Sequence, residues 1–221
     1  MRNRRRLPAL HGLIVAATLA FAAPASASTW AHPVNIVAIR AQPDTAAKRV
    51  ATTRLLTEDK LAEVYLVLQR RDGWVKVRVP GRPNGRTGWV RRTALGPLNT
   101  VDTRITVNRK TATLTLTKAG RTVFKTRVGV GKPSTPTPAG HFWVREKLRL
   151  TNAPMYGAYA LGTSAYAKVS DWPGGGVVGI HGTDQPELIP GRPSHGCVRV
   201  RNADMTRLYT FTPVGTPITI V

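Results

Sequence analysis

Threonine and apolar side chains alternate along residues 111–117, TATLTLT. A period of two places each kind of side chain on its own face of an extended chain, and this composition favours a strand over a helix. Residues 118–120, KAG, predict a turn into a second strand-like run, TVFKTRVGV at 122–130. RITV at 104–107 predicts a strand before the first run. The middle of the chain is therefore predicted to be β-sheet.

The rest of the chain has the same character. Only residues 203–211 predict a helix, with Asn202 as its N-cap. Nearer the N-terminus, residues 34–39 and 61–68 are rich in β-branched or bulky apolar side chains. A hairpin turn at Asp72-Gly73 leads into the alternating run 74–79, and GWV at 88–90 begins one more short strand. These patterns predict a mainly β protein with a linker over residues 96–103.

Residues 1–27 predict a secretory signal peptide. RNRRR at 2–6 precedes a mostly apolar stretch at 7–23, and PASA at 24–27 offers small residues for cleavage after Ala27. An uncleaved membrane anchor is the alternative, although the apolar run is short and contains Pro8 and His11. The mature protein is predicted to be exported, periplasmic or in the cell wall or extracellular space, without stable membrane insertion.

The chain is strongly basic, with a formal net charge of +22. Residues 1–27 hold four arginines and no acids, so the mature charge is +22 − 4 = +18. Such a charge favours a polyanionic partner. Because an exported protein rarely meets nucleic acid, anionic wall polymers are the better match. A solvated surface that reflects genome composition remains the alternative.

Cys197 is the single cysteine, so it cannot form an intrachain disulfide. A lone thiol in an oxidising compartment is buried, paired between chains or used in chemistry. It lies in SHGCVR at 194–199, downstream of IHGT at 180–183. A nearby histidine that takes or shares the thiol proton raises the thiolate fraction. An inert buried cysteine and a metal site are the alternatives, but the His and Cys spacing is unlike that of common zinc sites.

These two motifs resemble the signature of the L,D-transpeptidase (YkuD-type) catalytic domain. GVG at 129–131, TPTPAGHF at 135–142 and YALG at 159–162 resemble further motifs of that family in the same order. The resemblance covers residues 101–221. It implies a β-sandwich catalytic domain with little helix.

The resemblance also implies roles for the motif residues. Cys197 would be the nucleophile and His181 the general base or acid, held in one tautomer by a backbone carbonyl, that of Gly182. His195 would position substrate or support the site, although the sequence alone does not separate the two histidines.

Three more residues of the second motif have implied supporting roles. Ser194 belongs to the signature itself. Gly196 permits close backbone approach, and its amide and that of Cys197 are candidates to stabilise an oxyanion. Arg199 stands where some family members carry asparagine. It would pair with a carboxylate of the peptide stem, or else form a surface ion pair.

The implied reaction is acyl transfer on peptidoglycan stem peptides. Cys197 would attack the carbonyl after the third residue of a tetrapeptide stem, expel D-alanine and form a thioester, which a side-chain amine of a second stem resolves. No metal or organic cofactor is needed. Water as the acceptor would make the protein an L,D-carboxypeptidase, and an envelope protein's amine would make it an anchoring enzyme. A catalytically silent wall-binding protein is the alternative from another class.

The N-terminal half carries a second resemblance. DGWVKV at 72–77 and GWV at 88–90 are similar to the bacterial Src-homology-like barrel found beside cell-wall enzymes. This implies a wall-binding β-barrel over residues 31–97, with Trp74 and Trp89 either in a ligand groove or in the core. Deleting residues 31–97 is expected to lower wall adsorption more than turnover of a small soluble substrate.

Overall fold

The computed structural model describes residues 27–169, 171 and 175–221. The protein is mainly β, as predicted, and its strands form two sheets. The signal-peptide prediction falls almost entirely on residues 1–26, which lie outside the described residues, so it stays a prediction. No helix in the described ranges is long and apolar enough to cross a membrane.

The N-terminal module is a seven-stranded sheet with the order β3-β2-β6-β5-β4-β1-β7. Its strands are β1 Ser28–Ala31, β2 Ala38–Arg40, β3 Arg49–Thr52, β4 Tyr65–Arg71, β5 Trp74–Arg78, β6 Thr87–Arg91 and β7 Asn99–Val101. A short 3-10 turn, Arg92–Ala94, follows β6. The predicted hairpin joins β4 to β5, and Asp72 and Gly73 both have the positive φ that this turn requires, 47° and 76°.

Three features of this module differ from the sequence predictions. The predicted linker 96–103 contains β7, because β7 pairs antiparallel with β1 and so satisfies its backbone groups within the sheet. The sheet begins at Ser28, before the predicted start at residue 31. The strand predicted at 34–39 is confined to Ala38–Arg40. The Src-homology-like identity of the module stays a prediction.

Trp74 and Trp89 do not form an exposed aromatic groove. Each is only 6% exposed. The guanidinium of Arg91 lies 4.3 Å from the centroid of the Trp74 ring, and the Lys76 ammonium lies 5.9 Å from that of Trp89. Of the two predicted alternatives, the structure therefore supports the packed one.

The C-terminal module is a ten-stranded sheet with the order β10-β9-β8-β17-β12-β13-β14-β16-β11-β15. Its strands are β8 Thr103–Asn108, β9 Thr113–Lys118, β10 Arg121–Arg127, β11 Gly129–Gly131, β12 Gly140–Arg149, β13 Tyr159–Tyr166, β14 Val177–His181, β15 Gly191–Ser194, β16 Val198–Arg199 and β17 Pro217–Ile220. Short 3-10 turns occur at Pro154–Tyr156 and Pro186–Leu188. The alternating leucines of β9 are buried, as the period of two predicts.

Helix α1 spans Asn202–Phe211, close to the predicted 203–211. Asn202 is not its N-cap, because it is the first helical residue, and Arg201 takes the cap position without a side-chain hydrogen bond. The Asn202 side chain instead accepts a hydrogen bond from the Thr183 amide at 2.9 Å. It thereby ties α1 to the loop that follows β14.

The two modules share a buried apolar contact. Trp143 of β12 packs with Val64 and Leu66 of the N-terminal module, and Trp30 lies against the same cluster. The Trp143 Nε1–H donates to the Val64 carbonyl at 2.7 Å. This pairing satisfies the one polar group of a buried indole.

A buried ion network lies beside this contact. Arg145 of β12 donates to both carboxylate oxygens of Glu63, at 2.7 Å and 2.5 Å, and both side chains are fully buried. Glu58 also pairs with Arg145 at 2.9 Å, and Arg54 bridges Glu58 and Glu63. Both carboxylates that pair with Arg145 therefore come from the N-terminal module, so this ion network joins the two modules. The expected effects of deleting residues 31–97 stay predictions.

Candidate active site

The two sequence motifs meet on adjacent strands. β14 and β16 run parallel, with Ile180 opposite Val198 and His181 opposite Arg199. Cys197 immediately precedes β16, and its Sγ accepts a hydrogen bond from the Gly179 amide at 3.4 Å. Residues two apart on a strand share a face, so Gly179 and His181 present the same side of β14. The pairing thus places the thiol and the imidazole on one face of the sheet.

His181 is held in a defined orientation. Its Nδ1 lies 2.6 Å from the Gly182 carbonyl, which is the predicted contact and places the proton on Nδ1. Tyr156 packs edge-on against the ring, with centroids 4.8 Å apart. Burial lowers the pKa of His181 to about 4, and the Arg199 charge acts in the same direction. The imidazole is therefore neutral at pH 7, with Nε2 as its proton acceptor.

Cys197 is a half-buried free thiol. Burial raises its pKa, while the Gly179 hydrogen bond and the Arg199 charge oppose that shift. The resting site consequently holds a neutral thiol near a neutral imidazole. The increased thiolate fraction expected from the sequence is not a property of this resting geometry, so the thiol has to lose its proton during attack.

The turn before Cys197 is fixed by Ser194. The buried Ser194 hydroxyl donates to the Cys197 carbonyl at 2.6 Å and accepts from the Gly196 amide at 3.1 Å. Gly196 has a φ of 135°, and a Cβ there would lie 2.7 Å from the Ala167 Cβ. Because the Gly196 amide already has an acceptor, the prediction that it serves an oxyanion is not supported. The Cys197 amide is the remaining candidate of the predicted pair.

In the part of the chain that the structure describes, Arg199 does not form the surface ion pair that the sequence left open as an alternative. Its Nη1 donates to Gln185 Oε1 at 2.9 Å. Among the described residues it forms no salt bridge, and its buried Nε has no hydrogen-bond partner. The guanidinium therefore lies beside the site without a carboxylate counterion within residues 27–169, 171 and 175–221.

Two adjoining cavities share Cys197, His181, Tyr156 and Val177 in their walls. The larger, about 290 Å³, is also lined by Arg199, Gln185 and His195, whose side chain is exposed to solvent. The smaller, about 240 Å³, is also lined by Glu146 and Asp59. The nucleophile candidate thus lies where a cavity with a cationic wall meets one with a carboxyl wall.

Glu146 is a site residue that the sequence did not reveal. It is 2% exposed and accepts a hydrogen bond from the Thr57 hydroxyl at 2.5 Å. Burial and the nearby Asp59 carboxylate raise the pKa of Glu146 to about 7. Thr57 and Asp59 come from the N-terminal module, so no local motif could have linked them to Cys197. Gln185 was also missed, because a single glutamine in a loop carries no signal.

No group of three or more His, Cys, Asp or Glu side chains in residues 27–169, 171 and 175–221 is arranged to hold a metal ion. The chemistry available to the site is that of a thiol, a fixed imidazole, backbone amides and a guanidinium. These groups are sufficient for acyl transfer through a covalent intermediate.

The model of the L,D-transpeptidase catalytic domain (YkuD) family matches residues 102–220. The chain belongs to this family. It is 35% identical over 121 residues to the Bacillus subtilis protein YkuD, which is named as an L,D-transpeptidase, covering 55% of this chain and 67% of that one. Bacillus subtilis YqjB, named likewise, is 30% identical over 133 residues and is covered to 71%.

The chain is also similar to parts of solved L,D-transpeptidase structures. One from Enterococcus faecium is 31% identical with a TM-score of 0.44, and the alignment covers 54% of this chain and 50% of that one. L,D-transpeptidase 3 from Mycobacterium tuberculosis is 13% identical with a TM-score of 0.49, covering 86% and 98%. The chain thus spans about half the length of the Enterococcus protein. The family consists of acyltransferases that act on peptidoglycan stem peptides.

Proposed function

We propose that this family member is an exported, cysteine-dependent L,D-transpeptidase that cross-links or remodels peptidoglycan. The observation that carries the proposal is the position of Cys197 and His181 at the junction of two cavities with opposite chemical character. A transpeptidase binds two substrates, an acyl donor and an amine acceptor. The donor must reach the Cys197 sulfur, and the acceptor amine must reach the thioester carbonyl carbon that is then bonded to it.

Acylation begins with the neutral pair. His181 Nε2 takes the thiol proton as Sγ attacks the carbonyl carbon after the third residue of the donor stem. The Gly182 carbonyl stabilises the imidazolium that forms, because it accepts a hydrogen bond from the Nδ1–H group. A base with a pKa below 7 is unprotonated and ready at neutral pH.

The tetrahedral intermediate carries a negative oxygen. The Cys197 amide is the proposed donor to it, supported by the Ser194 hydroxyl, which holds the turn through the Cys197 carbonyl and the Gly196 amide. As the intermediate collapses, the imidazolium gives its proton to the leaving amine. D-Alanine departs, and the donor stem remains on Cys197 as a thioester.

The larger cavity suits the donor stem. Arg199 lines it with a guanidinium that has no carboxylate counterion among the described residues, next to Gln185. An arginine fork binds a carboxylate such as that of the terminal D-alanine. His195 lies at the exposed part of this wall and is proposed to position the stem.

The smaller cavity suits an amine acceptor. A primary amine is mostly protonated in solution, and the Glu146 and Asp59 carboxyl groups provide acceptors for its N–H donors. Water as the acceptor would not need carboxyl groups in the cavity wall, so Glu146 and Asp59 favour the transpeptidase over the L,D-carboxypeptidase. The presence of both Cys197 and His181 favours an enzyme over a silent wall-binding protein.

The deciding experiment is mass spectrometry of the products from a defined tetrapeptide muropeptide. We expect dimers whose third residues are joined, with release of D-alanine. Tripeptides alone would identify a carboxypeptidase, and no change would support the silent protein.

The Glu146→Gln variant sharpens this assay. Gln has nearly the same volume but carries no negative charge, so acceptor binding should weaken and the ratio of dimer to tripeptide should fall. Asp102→Asn is the matched control, since Asp102 is exposed on the same protein. An unchanged ratio in Glu146→Gln would remove the assignment of the smaller cavity to the acceptor.

A further inference from the structure

A loop of the N-terminal module reaches the active-site side of the catalytic module. It connects β5 to β6 and contains Arg82 and Asn84, both at least 80 residues away in sequence from the segment they contact. Neither residue belongs to a motif of the catalytic domain. Their partners all lie where β13 ends and where the chain returns toward β14.

Arg82 holds three backbone carbonyls with one guanidinium. Its Nη2 donates to the carbonyls of Ala167 at 2.9 Å and Val169 at 3.0 Å, and its Nη1 donates to that of Gly175 at 2.8 Å. Ala167 and Val169 follow β13, whereas Gly175 precedes β14. One side chain therefore bonds both sides of the connection between these strands through two separate nitrogens, a planar fork that the single ammonium nitrogen of lysine does not reproduce.

Asn84 completes the attachment. Its Oδ1 accepts from the Tyr166 amide at 3.0 Å, and its Nδ2 donates to the Tyr166 carbonyl at 2.9 Å. This is the pairing that a neighbouring strand would make with the last residue of β13. The Arg82 guanidinium also lies 5.1 Å from the centroid of the Tyr166 ring.

The fixed segment belongs to the wall of the larger cavity. Ala167, Val169 and Gly176 line it together with Cys197. Ala167 also packs against the turn that precedes Cys197, since a Cβ built at Gly196 would lie 2.7 Å from the Ala167 Cβ. A shift of Ala167 would therefore change both the donor cavity and the position of the residue before Cys197.

We propose that Arg82 is a positioning residue for the active site, supported by Asn84, so that the N-terminal module forms part of the catalytic unit. Arg82 does not line either of the two cavities at Cys197. It acts by holding the part of the wall formed by Ala167, Val169 and Gly176 in the arrangement that receives the donor. That this wall receives the donor stem rests on the proposed function.

The test uses the full mature chain with Arg82→Lys, which keeps the charge and loses the fork. Arg86→Lys is the matched control, because Arg86 lies on the same loop and its partners among the described residues, the Val50 and Pro80 carbonyls, belong to its own module. We measure kcat and KM for a soluble tetrapeptide, Cys197 alkylation by iodoacetamide, hydrogen exchange in a peptide covering residues 166–180, and Tm.

We expect Arg82→Lys to lower kcat/KM by roughly 10-fold to 100-fold, as for a misplaced binding wall. Hydrogen exchange in residues 166–180 should accelerate and the alkylation rate of Cys197 should change, while Arg86→Lys matches the wild type within about twofold in each readout. Asn84→Ala should act in the same direction with a smaller effect.

The proposal is overturned if Arg82→Lys leaves exchange in residues 166–180 and Cys197 alkylation unchanged, or if Arg86→Lys alters them equally. These two readouts need no transpeptidase substrate. A protein without transpeptidase activity in which they still respond to Arg82→Lys would overturn the proposed function and retain the positioning role.

Discussion

Arg145 and Arg199 both lie against buried groups of the catalytic module, yet their surroundings differ. Arg145 is fully buried and paired with Glu63 and Glu58. Burial alone would lower its pKa, but the Glu63 hydrogen bonds and the two carboxylate charges hold the pKa above its ordinary value. The pKa of Glu58 falls to about 2, because its Tyr166 hydrogen bond and the arginine charges outweigh burial. Every charge in this cluster is matched.

Arg199 has no such partner among the described residues, and the groups beside it are kept neutral. Burial shifts the pKa of His181 downward and that of Cys197 upward, away from the charged form in each case. A cluster with matched charges stabilises one structure. A cluster with an unmatched guanidinium and two neutral reactive groups is prepared for a ligand. Substitutions in the first cluster should therefore reduce stability, and substitutions beside Arg199 should reduce reactivity.

The largest expected effect on chemistry is that of Cys197→Ala. Turnover should be abolished, and incubation with a carbapenem should add no mass, whereas the wild type gains one opened carbapenem on Cys197, because its strained acyl group is open to attack by sulfur. The unfolding free energy should change by no more than about 1 kcal/mol, since one small half-buried side chain is lost. Intact-protein mass spectrometry and thermal unfolding provide the measurements. Equal labelling in the variant would exclude Cys197 as the nucleophile.

The largest expected effect on stability is that of Glu63→Ala. It leaves Arg145 buried without its bidentate partner, so the unfolding free energy should fall by about 3–5 kcal/mol. Urea unfolding measures this loss, with exposed Asp102→Asn as the control. Replacing both residues, Glu63→Leu with Arg145→Met, should recover much of it, because no unpaired charge remains. An unchanged unfolding midpoint in Glu63→Ala would contradict the role of the network.

His181→Gln should slow acylation of Cys197 by about 10²-fold to 10⁴-fold, since the titrating group is lost and most of the volume is kept. Stopped-flow acylation by a carbapenem measures the rate. His141→Gln is the matched control, because His141 is exposed and lies outside both cavities. His195→Gln should have a smaller effect through stem positioning. If His181→Gln acylates as fast as the wild type, the base has been assigned wrongly.

The smallest expected effects concern the pH dependence of stability. The folded pKa of His181 is about 4, below its ordinary 6.5, so the unfolded chain binds more protons between these values and stability rises with pH across this window. The folded pKa of Glu146 is about 7, above its ordinary 4.5, so the folded chain binds more protons and stability falls as pH rises from about 4.5 to 7.

Each group contributes a slope of at most about 1.4 kcal/mol per pH unit. Urea unfolding between pH 4 and 7.5 should therefore show that His181→Gln makes the net slope more negative and Glu146→Gln makes it more positive. Parallel curves for the two variants and the wild type would show that neither group is shifted in the folded state.

Local patterns predicted most of the secondary structure. The threonine and leucine alternation at 111–117 corresponds to β9, and Asp72-Gly73 forms the predicted hairpin, because each pattern specifies a backbone conformation within a few residues. The sequence did not reveal β7, since its pairing with β1 joins segments about 70 residues apart. Asn202 was misassigned because the same side chain that could cap a helix is used by the Thr183 amide.

The site divides in the same way. His181, Ser194 and Cys197 lie in two short motifs, so the family resemblance was enough to select them, and the implied contact of His181 with the Gly182 carbonyl is present. Their catalytic roles stay predictions. Glu146 and Arg82 reach the site only through the packing of one module on the other. The Gly196 amide donates a hydrogen bond to the Ser194 hydroxyl two residues away. The sequence could not predict this contact, because it depends on the side-chain rotamer of Ser194.

The attachment made by Arg82 and Asn84 has a consequence for how the two modules diverge. Every hydrogen bond that these side chains donate or accept at residues 166, 167, 169 and 175 involves a backbone atom. Side-chain changes at residues 167 and 169 would therefore leave these hydrogen bonds in place, whereas loss of the Arg82 or Asn84 side chain would remove them. Among proteins with this pair of modules, we expect Arg82 and Asn84 to vary less than the side chains at positions 167 and 169. A fusion of this catalytic module to an unrelated first module would keep both sequence motifs but lose the hydrogen bonds that Arg82 and Asn84 make to the wall of the larger cavity.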